Sequence, residues 1–169
     1  MSLRLILIRH AKSSWGSPAL DDHDRPLNDR GRLAATAIAG WLADRGHVPD
    51  RVLSSDARRT RETWALMAPL LGPDIPVDWL GDLYLAGPGT MLAALRRAGP
   101  AGTVAMLGHN PGIAHFAGAL LQTAPAHPRF ADYPTCATLV ADFAADRWGG
   151  TLPGSGTVVD FVVRRDIMD

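Results

Sequence analysis

The amino-acid sequence predicts a single α/β domain, a three-layer α/β/α sandwich with a mainly parallel sheet. The chain has 169 residues, 47% of them hydrophobic, which suits one domain with one sizeable core. Short apolar runs alternate with segments of helical periodicity, and no repeat, low-complexity segment or linker interrupts them. Alternation of this kind favours parallel strands covered by helices on both faces.

Six apolar runs are predicted to be strands. The first is apolar apart from Arg4, which is typical of a strand buried in a parallel sheet. The last is expected at an edge of the sheet, after a Gly-rich loop. The predicted strands are residues 3–8, 51–54, 76–80, 103–107, 135–143 and 157–163.

Four helices are predicted between these strands. Asn28 is expected to cap the first, which runs to about residue 45, and Gly46 to end it. Asp56 is expected to open the second helix as its N-cap. The third covers residues 90–97, with basic residues at its C-terminal end, where the helix dipole favours them. Pro111 suits the first turn of the fourth, which reaches about residue 121.

Composition excludes several classes of protein. The 17 basic and 17 acidic residues balance, which argues against an electrostatic nucleic-acid binder. Cys136 is the single cysteine and lies in an apolar run, so it is expected to be a small core residue and not a nucleophile. The apolar N-terminal stretch is too short for a signal peptide, and no run has the roughly 20 apolar residues of a membrane span. A soluble, cytoplasmic protein without a membrane partner is expected.

Polar residues follow three of the predicted strands. Arg9 and His10 follow the first strand, Arg58 and Arg59 come just after the second, and His109 follows the fourth. Because the carboxyl ends of parallel strands meet at one rim of the sheet, these side chains are expected to lie together. Any one of them alone would be an ordinary surface charge or structural imidazole; their coincidence indicates a site.

This combination suits phosphoryl transfer. Two guanidinium groups can bind the charged phosphoryl oxygens, and a neutral imidazole can attack phosphorus to form a phosphohistidine. A second imidazole, if protonated, can donate a further hydrogen bond. This set of residues contains no carboxylate cluster suited to Mg²⁺ and no Cys/His spacing suited to zinc, so neither a metal nor a cofactor is expected.

Four motifs occur in order at these junctions and are spread over about the first two-thirds of the chain. The first contains Arg-His-Ala in place of the usual Arg-His-Gly, and the last is Gly-His-Asn-Pro-Gly. Together they resemble the histidine phosphatase superfamily, in its compact branch of phosphohistidine phosphatases (SixA-type), which implies a phosphoglycerate mutase-like fold. The motifs are residues 5–15, 24–31, 52–63 and 107–112.

The resemblance implies roles for individual residues. It gives His10 as the nucleophile, with Arg9, Arg59 and His109 as the rest of the phosphate pocket. Arg59 is preferred to its neighbour Arg58 because Ser55 aligns with the motif serine and Arg59 lies four residues beyond it.

Three further residues have two interpretations each. Asp82 stands where larger relatives often place a glutamate proton donor, but it can equally be a loop or cap carboxylate. Arg25 can line the mouth of the pocket or form a salt bridge with Asp22 or Asp24. Lys12, two residues past the nucleophile, can contact substrate or remain a surface charge.

The expected function is removal of a phosphoryl group through a covalent intermediate on His10. The resemblance implies phosphohistidine in a protein as the substrate, and the weak proton-donor position agrees with it, because imidazole leaves without a strong general acid. A phosphatase for small phosphoesters on the same scaffold is the first alternative. A catalytically silent phosphate-binding module is the second, although such a module needs no nucleophile.

Overall fold

The computed structural model describes residues 2–169 and contains one six-stranded sheet. Its order is β3-β2-β4-β1-β5-β6, with β5 antiparallel to both of its neighbours and the other pairings parallel. The mainly parallel sheet is therefore confirmed, as is the edge position of the last strand. The strands are β1 (Leu3–Arg9), β2 (Arg51–Ser55), β3 (Val77–Leu80), β4 (Thr103–Gly108), β5 (Thr138–Phe143) and β6 (Thr157–Val162).

Four long helices and one short one complete the described chain. Asn28 caps α1 as expected, since its side chain accepts a hydrogen bond from the Gly31 amide at 2.8 Å. Gly46, at φ +73°, follows the end of this helix in the left-handed conformation that glycine adopts most easily. The helices are α1 (Asp29–Asp44), α2 (Arg58–Leu71), α3 (Pro88–Arg96), α4 (Gly112–Leu120) and α5 (Arg164–Ile167).

Two local predictions are wrong. Asp56 does not cap α2, which begins two residues later with Ala57 at the cap position; the Asp56 carboxylate instead accepts a hydrogen bond from His23. Strand β5 begins at Thr138 and not at residue 135, because Tyr133 and Cys136 have positive φ angles that break an extended chain.

The layers follow from alternation along the central strand. Leu5 and Leu7 face the core shared with α3 and α4, while Ile6 and Ile8 face the core shared with α1 and α2. All four side chains are fully buried. Helices thus cover both faces, which confirms the three-layer sandwich. Within residues 2–169, no helix combines the length and apolar character needed to cross a membrane.

Two glycines allow helices to approach the loops at the carboxyl edge of the sheet. A Cβ atom on Gly31 would lie 2.1 Å from the carbonyl oxygen of Lys12, and one on Gly112 would lie 1.7 Å from that of Ala86. No side chain fits at either distance. The first turn of α1 therefore packs directly on the loop after β1, and the first turn of α4 packs on the loop after β3.

Candidate active site

The carboxyl ends of β1, β2 and β4 form the floor of a cavity of about 380 Å³. Arg9 pairs in register with Gly108, so His10 and His109 leave adjacent strands side by side, with ring centroids 5.3 Å apart. Arg59 enters from the first turn of α2. The sheet therefore brings together the four residues expected to form the site. The lining residues are Arg9, His10, Lys12, Ser13, Trp15, Asp22, Arg25, Arg59, Leu85, His109, Asn110 and Thr135.

His10 is held as a neutral imidazole with one free nitrogen. Its Nδ1 lies 2.7 Å from the carbonyl oxygen of Ala11, and because a carbonyl only accepts, Nδ1 carries the proton and Nε2 has the lone pair. Burial lowers the pKa of His10 well below its ordinary value, and the charges of Arg9 and Arg59 lower it further. The Ala11 amide is fixed by the Thr63 hydroxyl at 3.0 Å. The geometry thus presents a nucleophilic nitrogen.

His109 lies against Ser55, with its Nε2 2.8 Å from the hydroxyl oxygen. That oxygen also accepts a hydrogen bond from the Ala57 amide, and within residues 2–169 the hydroxyl proton has no acceptor other than His109 Nε2, so we assign this proton to the Ser55–His109 hydrogen bond. The ring proton of His109 then sits on Nδ1, which is buried and has no partner in the described chain. Burial and the charge of Arg59 lower the pKa of His109 to about 3. The expectation of a protonated imidazole is therefore wrong for the free pocket, where a neutral ring offers the N–H.

The two guanidinium groups are anchored by some nitrogens and leave others free. Arg9 donates from Nη1 to the carbonyl oxygen of Tyr133 at 3.1 Å. Arg59 donates from Nη1 to the Asp22 carbonyl oxygen at 2.7 Å and from Nη2 to its carboxylate at 3.1 Å. The Nε–H groups of both arginines are buried without a partner in residues 2–169. Burial and the neighbouring charge of Arg59 lower the pKa of Arg9.

Three buried N–H donors without partners in residues 2–169 therefore belong to residues that line the same cavity as His10. Leaving a buried donor unpaired typically costs about 1–3 kcal/mol, so most native structures pair such groups. The donors belong to Arg9, Arg59 and His109, and each of these residues lines the cavity. A tetrahedral oxyanion next to His10 would satisfy all three and would offset the repulsion between the two guanidinium charges.

Comparison with known proteins agrees with this geometry. A family model described as the histidine phosphatase superfamily (branch 1) matches residues 5–83. An uncharacterised protein of Mycobacterium tuberculosis strain H37Rv is 34% identical over 164 residues, which are 94% of this chain and 100% of that protein. The chain belongs to the histidine phosphatase superfamily.

Solved structures place this histidine phosphatase in the SixA-type branch. A protein of Agrobacterium tumefaciens described as a "putative phosphohistidine phosphatase SixA" superposes with a TM-score of 0.79 and 28% identity, covering 95% of this chain and 97% of that one. The fold is phosphoglycerate mutase-like, as the resemblance implied. Family and neighbours together support a phosphatase, a hydrolase that acts on a phosphorylated substrate.

Two shorter matches cover only part of each relative. A chloroplastic protein of Arabidopsis thaliana is 54% identical over 63 residues, which are 37% of this chain and 29% of that protein. The broad-specificity phosphatase of Saccharomyces cerevisiae is 37% identical over 67 residues, 38% of this chain and 29% of that protein.

Asp22 is the main site residue that the sequence did not predict. The sequence suggested it only as a salt-bridge partner of Arg25. Its carboxylate accepts hydrogen bonds from Arg59, from Arg25 Nε at 3.0 Å and from the Tyr84 hydroxyl. The hydrogen bonds from Tyr84 and Arg59 lower the pKa of Asp22 from 3.8 to about 2. Asp22 is therefore ionised at neutral pH and fixes the orientation of Arg59. It lies in a loop that contains no recognisable motif. The one sequence signal for a role in the site is its position in a run of acidic residues.

The segment expected to supply a proton donor reaches the site through a different residue. Asp82 is exposed in the short 3-10 helix Gly81–Leu83 and does not line the cavity. Tyr84 packs edge-on against His109 at 5.4 Å and against His23 at 4.8 Å. His23 is half-buried, and its Nε2 lies 2.8 Å from a carboxylate oxygen of Asp56. The role of Asp82 as proton donor stays a prediction.

Arg25 and Lys12 both line the cavity. Arg25 is buried, donates to the Ser13 hydroxyl at 2.8 Å and pairs with Asp22, so both interpretations of this residue apply together. Its guanidinium carbon lies 3.6 Å from the centroid of the Trp15 ring. Trp15 is 79% exposed, which makes it an aromatic rim of the cavity.

Proposed function

We propose that this histidine phosphatase removes the phosphoryl group from phosphohistidine in a protein, by way of a covalent intermediate on His10. One observation carries the proposal. His10, whose Nε2 is unprotonated, lines one cavity with three residues that carry buried N–H donors without a partner in the described chain. A nucleophile that shares a cavity with unused donors suits an electrophile that carries several anionic oxygens, and the phosphoryl group is such an electrophile.

In the first step, His10 Nε2 attacks phosphorus. A P–N bond to His10 forms while the bond from phosphorus to the leaving group breaks, and the leaving group takes the electron pair. The non-bridging oxygens bind the N–H groups of Arg9, Arg59 and His109, which stabilise the charge of the transition state. The His10 ring becomes cationic, and its proton stays on Nδ1, which continues to donate a hydrogen bond to the Ala11 carbonyl oxygen.

In the second step, water attacks the phosphohistidine. An O–P bond forms, the P–N bond breaks, and the electron pair returns to Nε2 of His10. Both water protons can leave with dihydrogen phosphate, so this step needs no permanent proton acceptor on the enzyme. The anchored guanidinium groups bind the same oxygens in both steps, because Asp22 and the Tyr133 carbonyl group fix their positions.

The acids that the cavity provides support this substrate class. Among the described residues, Asp22 is the one carboxyl group that lines the cavity, and its lowered pKa keeps it ionised, so it has no proton to donate. The pKa of Tyr84 is raised by burial and by Asp22, and its hydroxyl proton already binds that carboxylate. A site without a ready acid favours a leaving group that departs as a neutral imidazole, after its second ring nitrogen takes a proton from water.

The mouth of the cavity suits a protein surface. Trp15 and Leu85 line it and are 79% and 54% exposed. Exposed apolar side chains at the rim of a polar cavity are typical of sites that bind a macromolecule. They support the delivery of phosphohistidine on a folded partner.

The test compares kcat/KM for a phosphohistidine peptide, an aryl phosphate and an alkyl phosphate in the same buffer with EDTA. The expected order places the alkyl phosphate last, by about 10²-fold or more, because general acid catalysis typically contributes 10²–10⁴. Asp82→Asn is expected to leave the peptide rate within twofold of wild type, since Asp82 lies outside the cavity.

Activity on small phosphoesters is the second candidate, and the partial match to a yeast protein described as a broad-specificity phosphatase favours it. An alkyl phosphate hydrolysed faster than the peptide, with Asp82 required, would contradict the phosphohistidine assignment. That result would leave the His10 nucleophile in place.

A further inference from the structure

A second cavity, of about 170 Å³, lies beside the catalytic one and has the character of an anion site. Lys12 and Thr135 line both cavities, so the two are contiguous. Five of the nine lining side chains are cationic and none is acidic: Lys12, Arg30, Arg129, Arg164 and Arg165. The whole chain has equal numbers of basic and acidic residues, so this concentration of positive charge is local.

The five cations come from four parts of the chain. Lys12 follows β1, Arg30 lies in the first turn of α1, Arg129 is in the loop before β5, and the last two begin α5. Two of the five cations already have a partner within the protein. Arg129 forms an ion pair with Asp132 at 2.9 Å, and Arg164 donates to the carbonyl oxygen of Asp169 at 2.8 Å.

The remaining three cations are Lys12, Arg30 and Arg165. Across residues 2–169 their side chains form no hydrogen bond or salt bridge, and all three are exposed at the cavity wall. Elsewhere on this protein arginines commonly pair with a carboxylate, as Arg58 does with Glu62 at 2.7 Å. Three unpaired cations around one concave surface repel one another, and an anion placed between them would lower that repulsion.

We propose that this basic cavity binds a second anionic group, a carboxylate or a phosphate, carried by the same substrate molecule whose phosphoryl group sits at His10. The proposal rests on the proposed function and adds a specificity determinant to it. Guanidinium groups present planar pairs of N–H donors that match carboxylate and phosphate oxygens. On a protein substrate the second group would be an acidic side chain near the phosphohistidine; on a small molecule it would be a second phosphate.

The basic cavity does not contact the reacting atoms. Removing its cations should therefore change substrate binding and not the chemical step. A group bound equally in the ground state and the transition state changes KM and leaves kcat unaltered. The cations are exposed, so each contributes modestly and salt screens the effect. Removing two of them is expected to raise KM about threefold to tenfold for a substrate that carries the second anion.

The experiment uses two pairs of substrates that differ in one feature. The first pair is a phosphohistidine peptide flanked by Glu and the same peptide flanked by Gln. The second is an alkanediol bisphosphate and the monophosphate of the same diol. Each is measured with wild type, with the Arg30→Ser/Arg165→Ser double variant, and with an Arg97→Ser/Arg147→Ser control. The control removes the same charge from two exposed arginines outside either cavity.

The expected result is a lower KM for the Glu peptide than for the Gln peptide in wild type and in the control, with equal kcat. The double variant should lose that preference. A preference confined to the bisphosphate would identify a small molecule as the source of the anion. Equal KM values within both pairs in wild type, or a preference that persists in the double variant, would overturn the proposal.

Failure of the proposed function would look different. In that case neither peptide is hydrolysed, whatever its flanking charge, while the diol phosphates are. The diol pair then tests the basic cavity alone: a bisphosphate preference that the double variant abolishes supports the proposal, and equal KM values reject it.

Discussion

Arginines lie at both ends of strands β1 and β2, but they have different roles at the two ends. At the amino ends, Arg4 binds both carboxylate oxygens of Asp142, at 2.7 and 2.9 Å, and Arg51 binds Asp78 at 2.9 Å. At the carboxyl ends, Arg9 and Arg59 each keep a buried Nε–H without a partner in the described chain. Arg4 and Arg51 thus stabilise the fold through their ion pairs, whereas Arg9 and Arg59 each keep one N–H donor that a substrate can bind. Function lies where buried polar groups are left unsatisfied.

The largest effect expected from this comparison is at Arg59. Arg59→Ala should lower kcat/KM by about 10²–10³, because a charge-assisted bond to the transition state is lost. The matched control is the neighbouring Arg58→Ala, whose exposed side chain binds Glu62 and lies outside the cavity. It should change the rate less than threefold. Equal losses in the two variants would show that the phosphoryl group binds elsewhere.

A smaller and different effect is expected at the amino end. Arg4→Met should lower the free energy of unfolding by about 1 kcal/mol, because it leaves the half-buried Asp142 without its bidentate partner. Urea denaturation measures this, and kcat/KM under native conditions should stay within twofold of wild type. A large loss of activity without loss of stability would break the distinction between the two ends.

The smallest expected effect concerns pH. The value of kcat/KM should stay constant as the pH falls below neutrality. The nucleophile must be neutral, and the pKa of His10 is lowered well below 6.5, so activity is lost only as the pH falls through that lowered pKa. Asp22, with its pKa lowered to about 2, remains ionised over the same range. A plot of kcat/KM for the peptide, corrected for substrate ionisation, should be flat from pH 8 to about pH 5. An acid limb centred near pH 6.5 would indicate an unperturbed His10.

The elements of the fold could be predicted because they depend on local patterns. Apolar runs located all six strands, and Asn28 located the start of α1 through its cap. The start of β5 could not be predicted, because Cys136 adopts a left-handed conformation only where its amide binds the His10 carbonyl group at 3.0 Å. That contact joins residues far apart in the sequence.

The same distinction between local patterns and long-range contacts applies to the residues of the site. Arg9, His10 and His109 could be predicted because parallel strands fix where their ends meet. Asp22 and Tyr84 could not, because Asp22 reaches the cavity and Tyr84 reaches His109 from two separate loops, which one hydrogen bond between these residues joins. The tautomer of His109 likewise depends on Ser55, a contact between neighbouring strand ends that the sequence pattern leaves open.

The central claim is that the phosphoryl group passes through Nε2 of His10. The most direct test mixes the wild-type protein with a ³²P-labelled substrate and quenches the reaction rapidly without acid. The labelled protein is then mapped by peptide under alkaline conditions. The account predicts base-stable, acid-labile label on the peptide that contains His10, formed at the rate of substrate consumption or faster. His10→Ala should form no adduct and lose about 10⁴-fold or more in kcat. Turnover without a labelled enzyme, or an undiminished rate in His10→Ala, would contradict it.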